Sequence, residues 1–309
     1  MIHNRGIVNG DPTLCWPIRA AVRIVSPMQA NIESEARNAG TSRTRGALAG
    51  LALALAVAGA PGCADMTDED IATGEDLLAV RARARDVVLV HGAWADGSSW
   101  SDVIAQLQRD GYTVRAVQLP LQSLAGDAAI VRREIERVGR PVVVAGHSYG
   151  GAVITEAATG AGNVIGLVYA AGYALDQGET LLSLNERFPA TPILGALVFD
   201  GQGSATVEPA AFAQLFAPDL PQRQARVLAA TQTPIAGAIF GTPAGAPAWR
   251  DVPAWYQIST EDQVIHPELQ RFVAARMNAE VIELPASHAS PVSRPRAIAA
   301  LIETAAHGR

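Results

Sequence analysis

The sequence predicts an α/β domain: a mainly parallel sheet with helices on both faces and a cap inserted before the strand that leads to an acidic residue. Three observations predict it. Short apolar runs rich in β-branched residues recur from Asp86 onward, helical patterns with one apolar stripe lie between them, and the alternation breaks once, over residues 176–250. Strands buried on both faces read as continuous apolar runs, and strand–helix–strand repeats need right-handed crossovers that put helices on both sides of a parallel sheet.

The elements follow in order. VVLV at 87–90 is a strand, and Trp100, Val103, Ile104 and Leu107 after it have the spacing of one helix face. TVRAV at 113–117 is the second strand, followed by the stripe Val131, Ile135 and Val138. VVVA at 142–145 leads into a helix that begins at Ala152-Val153-Ile154, and VIGLVYA at 164–170 is the fourth strand. Between 176 and 250 Pro and Gly are frequent, and Phe188, Phe199, Phe212, Phe216, Phe240 and Trp249 supply most of the aromatic mass. That segment reads as a cap over the strand ends, an apolar lid suited to an uncharged substrate; the alternative is a second small core packed on itself. WYQI at 255–258 and VIEL at 281–284 complete six strands, with the stripe Leu269, Phe272, Val273 and Met277 between them. In such a sheet, sites gather at the carboxyl ends of the strands.

The 85 residues before this domain read as a leader, 1–62, and a linker, 63–85. Residues 47–58 run ALAGLALALAVA, preceded by Arg43 and Arg45 and followed by small residues ending in Cys63. Basic, apolar, then small is the order of a secretory signal, and twelve apolar residues fall short of the ~20 that span a bilayer. The chain is therefore expected to be exported, to the periplasm or outside the cell, with Cys63 a candidate site of lipidation and membrane anchoring. Translation from Met28 would give a leader of more usual length. Removing 1–62 takes six Arg and three acidic residues and moves the formal charge from −6 to −9. It also removes Cys15, leaving no partner for an intrachain disulfide; a Cys15–Cys63 bridge requires an uncleaved chain.

Composition excludes whole classes of chemistry. All 24 basic residues are Arg, so Schiff-base and pyridoxal phosphate mechanisms and the P-loop lysine are out. A net charge of −6 without clustered cations argues against nucleic acid as a partner. Two cysteines and no HExxH pattern support no metal site, and Gly201-x-Gly203 lacks the third Gly of a nucleotide loop.

The chemistry lies elsewhere. Gly146-His147-Ser148-Tyr149-Gly150, between a strand and a helix, is a G-x-S-x-G nucleophile elbow. A tight strand-to-helix turn strains the Ser, and Gly146 and Gly150 leave room for the crossing backbone. A serine hydroxyl needs a base. Of six histidines, His3 lies in the leader, His307 at the terminus, His147 inside the elbow, His266 beside the candidate acid and His91 after the first strand. His288, in the loop after the last strand, stands where the chain order Ser, acid, His requires the base. Asp262, after strand 255–258, is the preferred acid, with Glu261 and Asp176 as alternatives. Oxyanion donors map to the backbone N–H groups of Tyr149 and Ala93, with Gly92 letting the loop turn in.

With these residues in view, VVLVHGAWADGSSW at 87–100, VQLPLQSLAGD at 117–127, VVVAGHSYGGAVITEA at 142–157 and the stretch 255–290 together resemble bacterial serine hydrolases of the α/β-hydrolase fold, in a branch related to plant methylesterases and hydroxynitrile lyases. The resemblance spans about 86–306. It implies a Ser148, Asp262, His288 triad, oxyanion donors at Ala93 and Tyr149, a cap before the Asp strand, and no cofactor. Hydroxynitrile lyases of this branch carry a Thr where this chain has Gly92 and need an active-site Lys, which is absent; haloalkane dehalogenases carry Asp where Ser148 stands. After the second strand, Leu119-Pro120-Leu121-Gln122-Ser123 replaces the turn common in the wider fold. The expected activity is hydrolysis of a small or aromatic uncharged ester. The alternatives are a cofactor-free lyase or perhydrolase on the same triad, and a non-catalytic binding protein of the same fold.

Overall fold

A computed structural model describes residues 83–308. The leader, its apolar run, Cys15, Met28, Cys63 and all but the last three residues of the linker lie outside the described residues. Ala84 is already part of the domain: it is buried, and its N–H donates to the Ala306 carbonyl at 3.0 Å.

The main chain alternates strand and helix: β1 (Asp86–Val90), α1 (Ser101–Arg109), β2 (Thr113–Val117), α2 (Leu124–Val138), β3 (Val142–His147), α3 (Tyr149–Ala157) and β4 (Val164–Ala170). An insertion follows, with α4 (Leu181–Asn185), strands β5 (Leu197–Phe199) and β6 (Ser204–Val207), α5 (Gln222–Ala230) and β7 (Ile235–Ala236). The alternation then resumes with β8 (Ala254–Ser259), α6 (Pro267–Arg276), β9 (Glu280–Leu284) and α7 (Pro295–Ala306).

Six strands form one parallel sheet in the order β2-β1-β3-β4-β8-β9. Side chains alternate between its faces. Val88, Val90, Val142, Val144, Leu167 and Tyr256 bury into a core shared with α2, α3 and α6. Val87, Leu89, Val143, Ala145, Val168 and Trp255 bury on the other side, against Val103 and Leu107 of α1 and Ile298 and Ile302 of α7. The central strands β1, β3 and β8 are therefore buried at every position, whereas the edge strands β2 and β9 are only partly buried.

The strand order reverses between β1 and β3, since β2 lies on one side of β1 and β3 on the other. Their carboxyl ends diverge there and leave a crevice. The insertion lies over this end. Its small antiparallel sheet, order β5-β6-β7, is an element the aromatic pattern does not reveal. Phe212, Phe216, Ile235 and Ile239 of the insertion belong to the same buried cluster as the main sheet, not to a separate core. Among the hydrogen bonds that tie it down are those from Ala236 N–H to the Leu121 carbonyl at 2.9 Å and from the Trp94 indole N–H to the Ala205 carbonyl at 3.0 Å.

Candidate active site

Strand β3 ends in His147, and Ser148 follows with φ +54° and ψ −123°, a region that costs a non-glycine residue roughly 1–3 kcal/mol. The surroundings hold it there. Ser148 N–H donates to the Ala170 carbonyl at 3.2 Å, and its own carbonyl accepts from Gly151 and Tyr173, both at 3.0 Å. The two elbow glycines are needed for close approach: a Cβ on Gly146 would overlap the Gly150 carbonyl, and one on Gly150 would come within 2.5 Å of the Val90 carbonyl oxygen. The loop after β1 is equally close, because a Cβ on Gly92 would lie 2.7 Å from that of Ser148. Ser148 thus sits at the switch point, beside the residues that follow β1.

His288 and Asp262 come from the ends of β9 and β8. The His288 Nδ1–H donates to Asp262 Oδ2 at 2.8 Å, which leaves Nε2 as the bare, proton-accepting nitrogen. Nε2 is buried and has no hydrogen-bond partner, so the Ser148 hydroxyl is not bonded to it in this structure. Asp262 is saturated: Oδ1 accepts from Val264 N–H at 2.7 Å and Ile265 N–H at 3.0 Å, and Oδ2 also accepts from the Gln270 amide at 2.8 Å. A carboxylate in such a cage keeps its position.

The oxyanion candidates flank the serine. Tyr149 is the first residue of α3, where a helix leaves its N–H without an intrahelical partner and the helix dipole favours negative charge. Its hydroxyl donates to the buried Asp127 carboxylate at 2.7 Å, and burial pushes that carboxyl above its usual range. Ala93 follows β1 in a loop set by His91. The His91 Nδ1–H donates to the Gly92 carbonyl at 2.9 Å, and Nε2 accepts from Leu119 N–H at 3.0 Å. Burial holds this imidazole below its ordinary pKa and therefore neutral.

His147 has a further role at the elbow. Its Nε2–H donates to the His288 carbonyl at 2.8 Å, and the two rings lie 4.8 Å apart, so elbow and base loop are strapped together. Burial, then the neighbouring His288, pushes the His147 pKa well down. The other candidates are elsewhere. Asp176 pairs with Arg250 at 2.5 Å, the exposed Glu261 follows β8 without contacting His288, and the His266 side chain caps α6 by accepting from Glu268 N–H.

Three contributors escape sequence reasoning. Gln270, one position from the apolar stripe of α6, binds Asp262 and accepts from Ser259 N–H at 2.9 Å. Phe216 sets its ring edge-on to His288, with centroids 4.7 Å apart. Asp219, three residues on, accepts hydrogen bonds from both N–H and hydroxyl of Ser287. Burial would raise the Asp219 carboxyl, but these bonds outweigh it and hold the group below its usual range. No pattern marks Gln270 or Asp219, since each contact depends on the fold. A mostly apolar cavity opens beside the elbow, lined by Trp94, His147, Phe212, Phe216, Leu228 and Val292 among others. Ser148 is 3% exposed and His288 0%, so both lie beneath the surface of the covered sheet end. Among the described residues no cluster of His, Cys, Asp and Glu could hold a metal ion, and no helix is long and apolar enough to cross a membrane.

Comparison with known proteins identifies the fold and the family. A family model described as the Alpha/beta hydrolase family matches residues 87–301. The fungal protein named Probable hydrolase R7, from Phoma sp., is 28% identical over 238 residues, covering 70% of this chain and 96% of its own. Among solved structures, an extracellular α/β-hydrolase from a Paenibacillus species superposes with a TM-score of 0.61 at 18% identity, covering 71% of this chain and 98% of that one. It is described as sharing structural and functional homology with tobacco salicylic acid binding protein 2. Polyneuridine aldehyde esterase gives the same TM-score of 0.61, identity of 18% and coverage of 71% and 98%. At such identities the structural likeness concerns the fold.

Proposed function

The chain belongs to the alpha/beta hydrolase family, and on that premise we propose that it is a serine hydrolase that cleaves uncharged carboxylic esters. The observation that carries the reading is the buried 2.8 Å bond from His288 Nδ1–H to Asp262, which leaves a bare Nε2 in a loop strapped to the elbow of a strained Ser148. Ser148 Oγ attacks the ester carbonyl carbon while its proton passes to His288 Nε2. Asp262 holds the tautomer and stabilises the imidazolium. The N–H groups of Ala93 and Tyr149 receive the oxyanion; donors of this kind contribute roughly 3 kcal/mol each where removed in other enzymes. The carbon–oxygen bond then breaks, the alcohol leaves with the proton from His288, and water repeats the sequence on the acyl-enzyme to release the acid.

The apolar cavity between the β1 loop and the cap supports an uncharged substrate with a small or aromatic group. The basic, apolar and small segments at 43–63 support export, with Cys63 as the candidate lipid anchor. The test is turnover of p-nitrophenyl acetate by the full chain and by Ser148→Ala. The variant is expected to lose at least ~1,000-fold in kcat, and retention of most activity would refute the assignment. Product analysis must return acetate and p-nitrophenol; preferential formation of peracetate when hydrogen peroxide is added would move the reaction to a perhydrolase, and release of an aldehyde from a cyanohydrin without ester turnover would move it to a lyase.

A further inference from the structure

We infer that Asp219, carried by the cap, is a positioning residue for His288: through Ser287 it fixes the loop that presents the imidazole to Ser148. The inference rests on the esterase reading and adds to it a part for the cap beyond covering the site. Asp219 follows the turn that bears Phe216 and precedes α5. Its Oδ1 accepts from the Ser287 hydroxyl and its Oδ2 from Ser287 N–H at 3.1 Å. The Ser287 hydroxyl in turn accepts from Ala289 N–H at 3.2 Å, and that N–H also donates to the Phe216 carbonyl at 3.2 Å. Arg294 closes the ring, with one nitrogen 3.8 Å from Asp219 Oδ2 and another donating to the Pro285 carbonyl at 2.6 Å. The residues on both sides of His288 are therefore bound to the cap segment 216–219.

The bond to Asp262 fixes one ring nitrogen of His288, and the bond from His147 holds its carbonyl, but neither holds the residues on either side of it. The clamp on Ser287 and Ala289 supplies that third constraint. A cap that merely needed a latch could use any exposed pair, whereas this one ends on the residue next to the base and uses a largely buried carboxylate with two hydrogen bonds, the stronger kind. A displacement of about 1 Å in a catalytic group can cost on the order of 100-fold in rate. Asp219 lines neither the cavity nor the triad, and the bond from Ala289 N–H to the Phe216 carbonyl that joins two cavity-lining residues does not involve it, so its loss should act on the chemical step more than on substrate binding.

The experiment compares kcat and KM for p-nitrophenyl acetate, the inactivation rate by a fluorophosphonate, and the melting temperature of the full chain. The variants are Asp219→Ala, Asp219→Asn, Ser287→Ala and the Asp219→Ala/Ser287→Ala double. Asp219→Ala is expected to lower kcat and the inactivation rate together by about 100-fold, with KM within about twofold. Asp219→Asn keeps one acceptor oxygen and should fall between it and the parent, and the loss in the double variant should fall well short of the product of the two single losses because both remove the bond from the Ser287 hydroxyl to Asp219. Unchanged kcat, a loss confined to KM, or multiplying losses in the double variant would each overturn the inference. If Asp219→Ala does not fold, Asp219→Asn and Ser287→Ala decide alone, and parental kcat in both overturns it. The downfield NMR resonance of the His288 Nδ1 proton separates the two claims, because it does not require turnover. Its broadening in Asp219→Asn supports the positioning role even if the parent fails to hydrolyse esters, and a resonance as sharp as the parent's counts against it.

Discussion

At the ends of β1 and β3 the backbone itself sets out the chemistry, whereas in the cap side chains do so. Ser148 is aimed by a left-handed φ, by glycines that admit crossing carbonyls, and by the first turn of α3. The cap has only strands of two to four residues and short helices, and it reaches the site through Phe216 against His288 and Asp219 on Ser287. Backbone devices need particular residues at fixed local spacing. Side-chain devices need only that two distant residues meet, which lets a cap vary while the sheet end stays the same.

The largest effect should fall on the sheet end. Asp262→Asn keeps the size of the residue but replaces an acceptor of four hydrogen bonds with a group that can accept fewer and must donate, and it disturbs the His288 tautomer. We expect kcat to fall about 10,000-fold; a loss under tenfold beside a severe effect of Asp176→Asn would move the acid to the preceding strand end. Next is Gly146→Ala, whose methyl group meets the backbone carbonyl of Gly150, where no side chain can yield. A loss of about 3 kcal/mol in stability is expected by urea denaturation, against no comparable loss for an alanine at the open Gly195 in the cap. If the two glycines behave alike, backbone crowding does not distinguish sheet from cap.

A further effect, graded with pH, is expected at the sheet end. His91 and His147 are buried and neutral, with pKa values lowered by burial in the fold. Below pH ~6.5 the unfolded chain takes up protons at both while the folded chain does not, so stability falls as pH falls. Each histidine contributes up to about 1.4 kcal/mol per pH unit between ~6.5 and its lowered value. Denaturation midpoints measured from pH 8 to 5 should decline below about 6.5; a flat profile would mean that both imidazoles take up protons in the fold as readily as in the unfolded chain.

The same contrast explains what could be read from sequence. The six strands were legible because central strands buried on both faces leave unbroken apolar runs, and the observed bounds differ from the expected ones by no more than two residues. Ser148, His288 and Asp262 stand out as candidates in the sequence because each lies in a local context, a glycine-framed turn or a loop directly after an apolar run, and the fold brings His288 and Asp262 together. The strands β5, β6 and β7 were not, because segments of two to four residues carry too little periodicity to separate from loop. Gln270 looked like one polar residue on an amphipathic helix, and Asp219 lies 68 positions from Ser287, so only folding brings that pair together. His147, set aside as a residue of the elbow, proves to strap the base loop to it.

The central claim is that Ser148 is a nucleophile activated by His288. Its most direct test is mass spectrometry of the full chain after treatment with a fluorophosphonate, which reacts with an activated serine and not with an ordinary one. The account predicts a single adduct on the peptide bearing Ser148, absent from Ser148→Ala and formed far more slowly in His288→Ala. A folded parent that takes up no label, or an adduct that persists in Ser148→Ala, would contradict it.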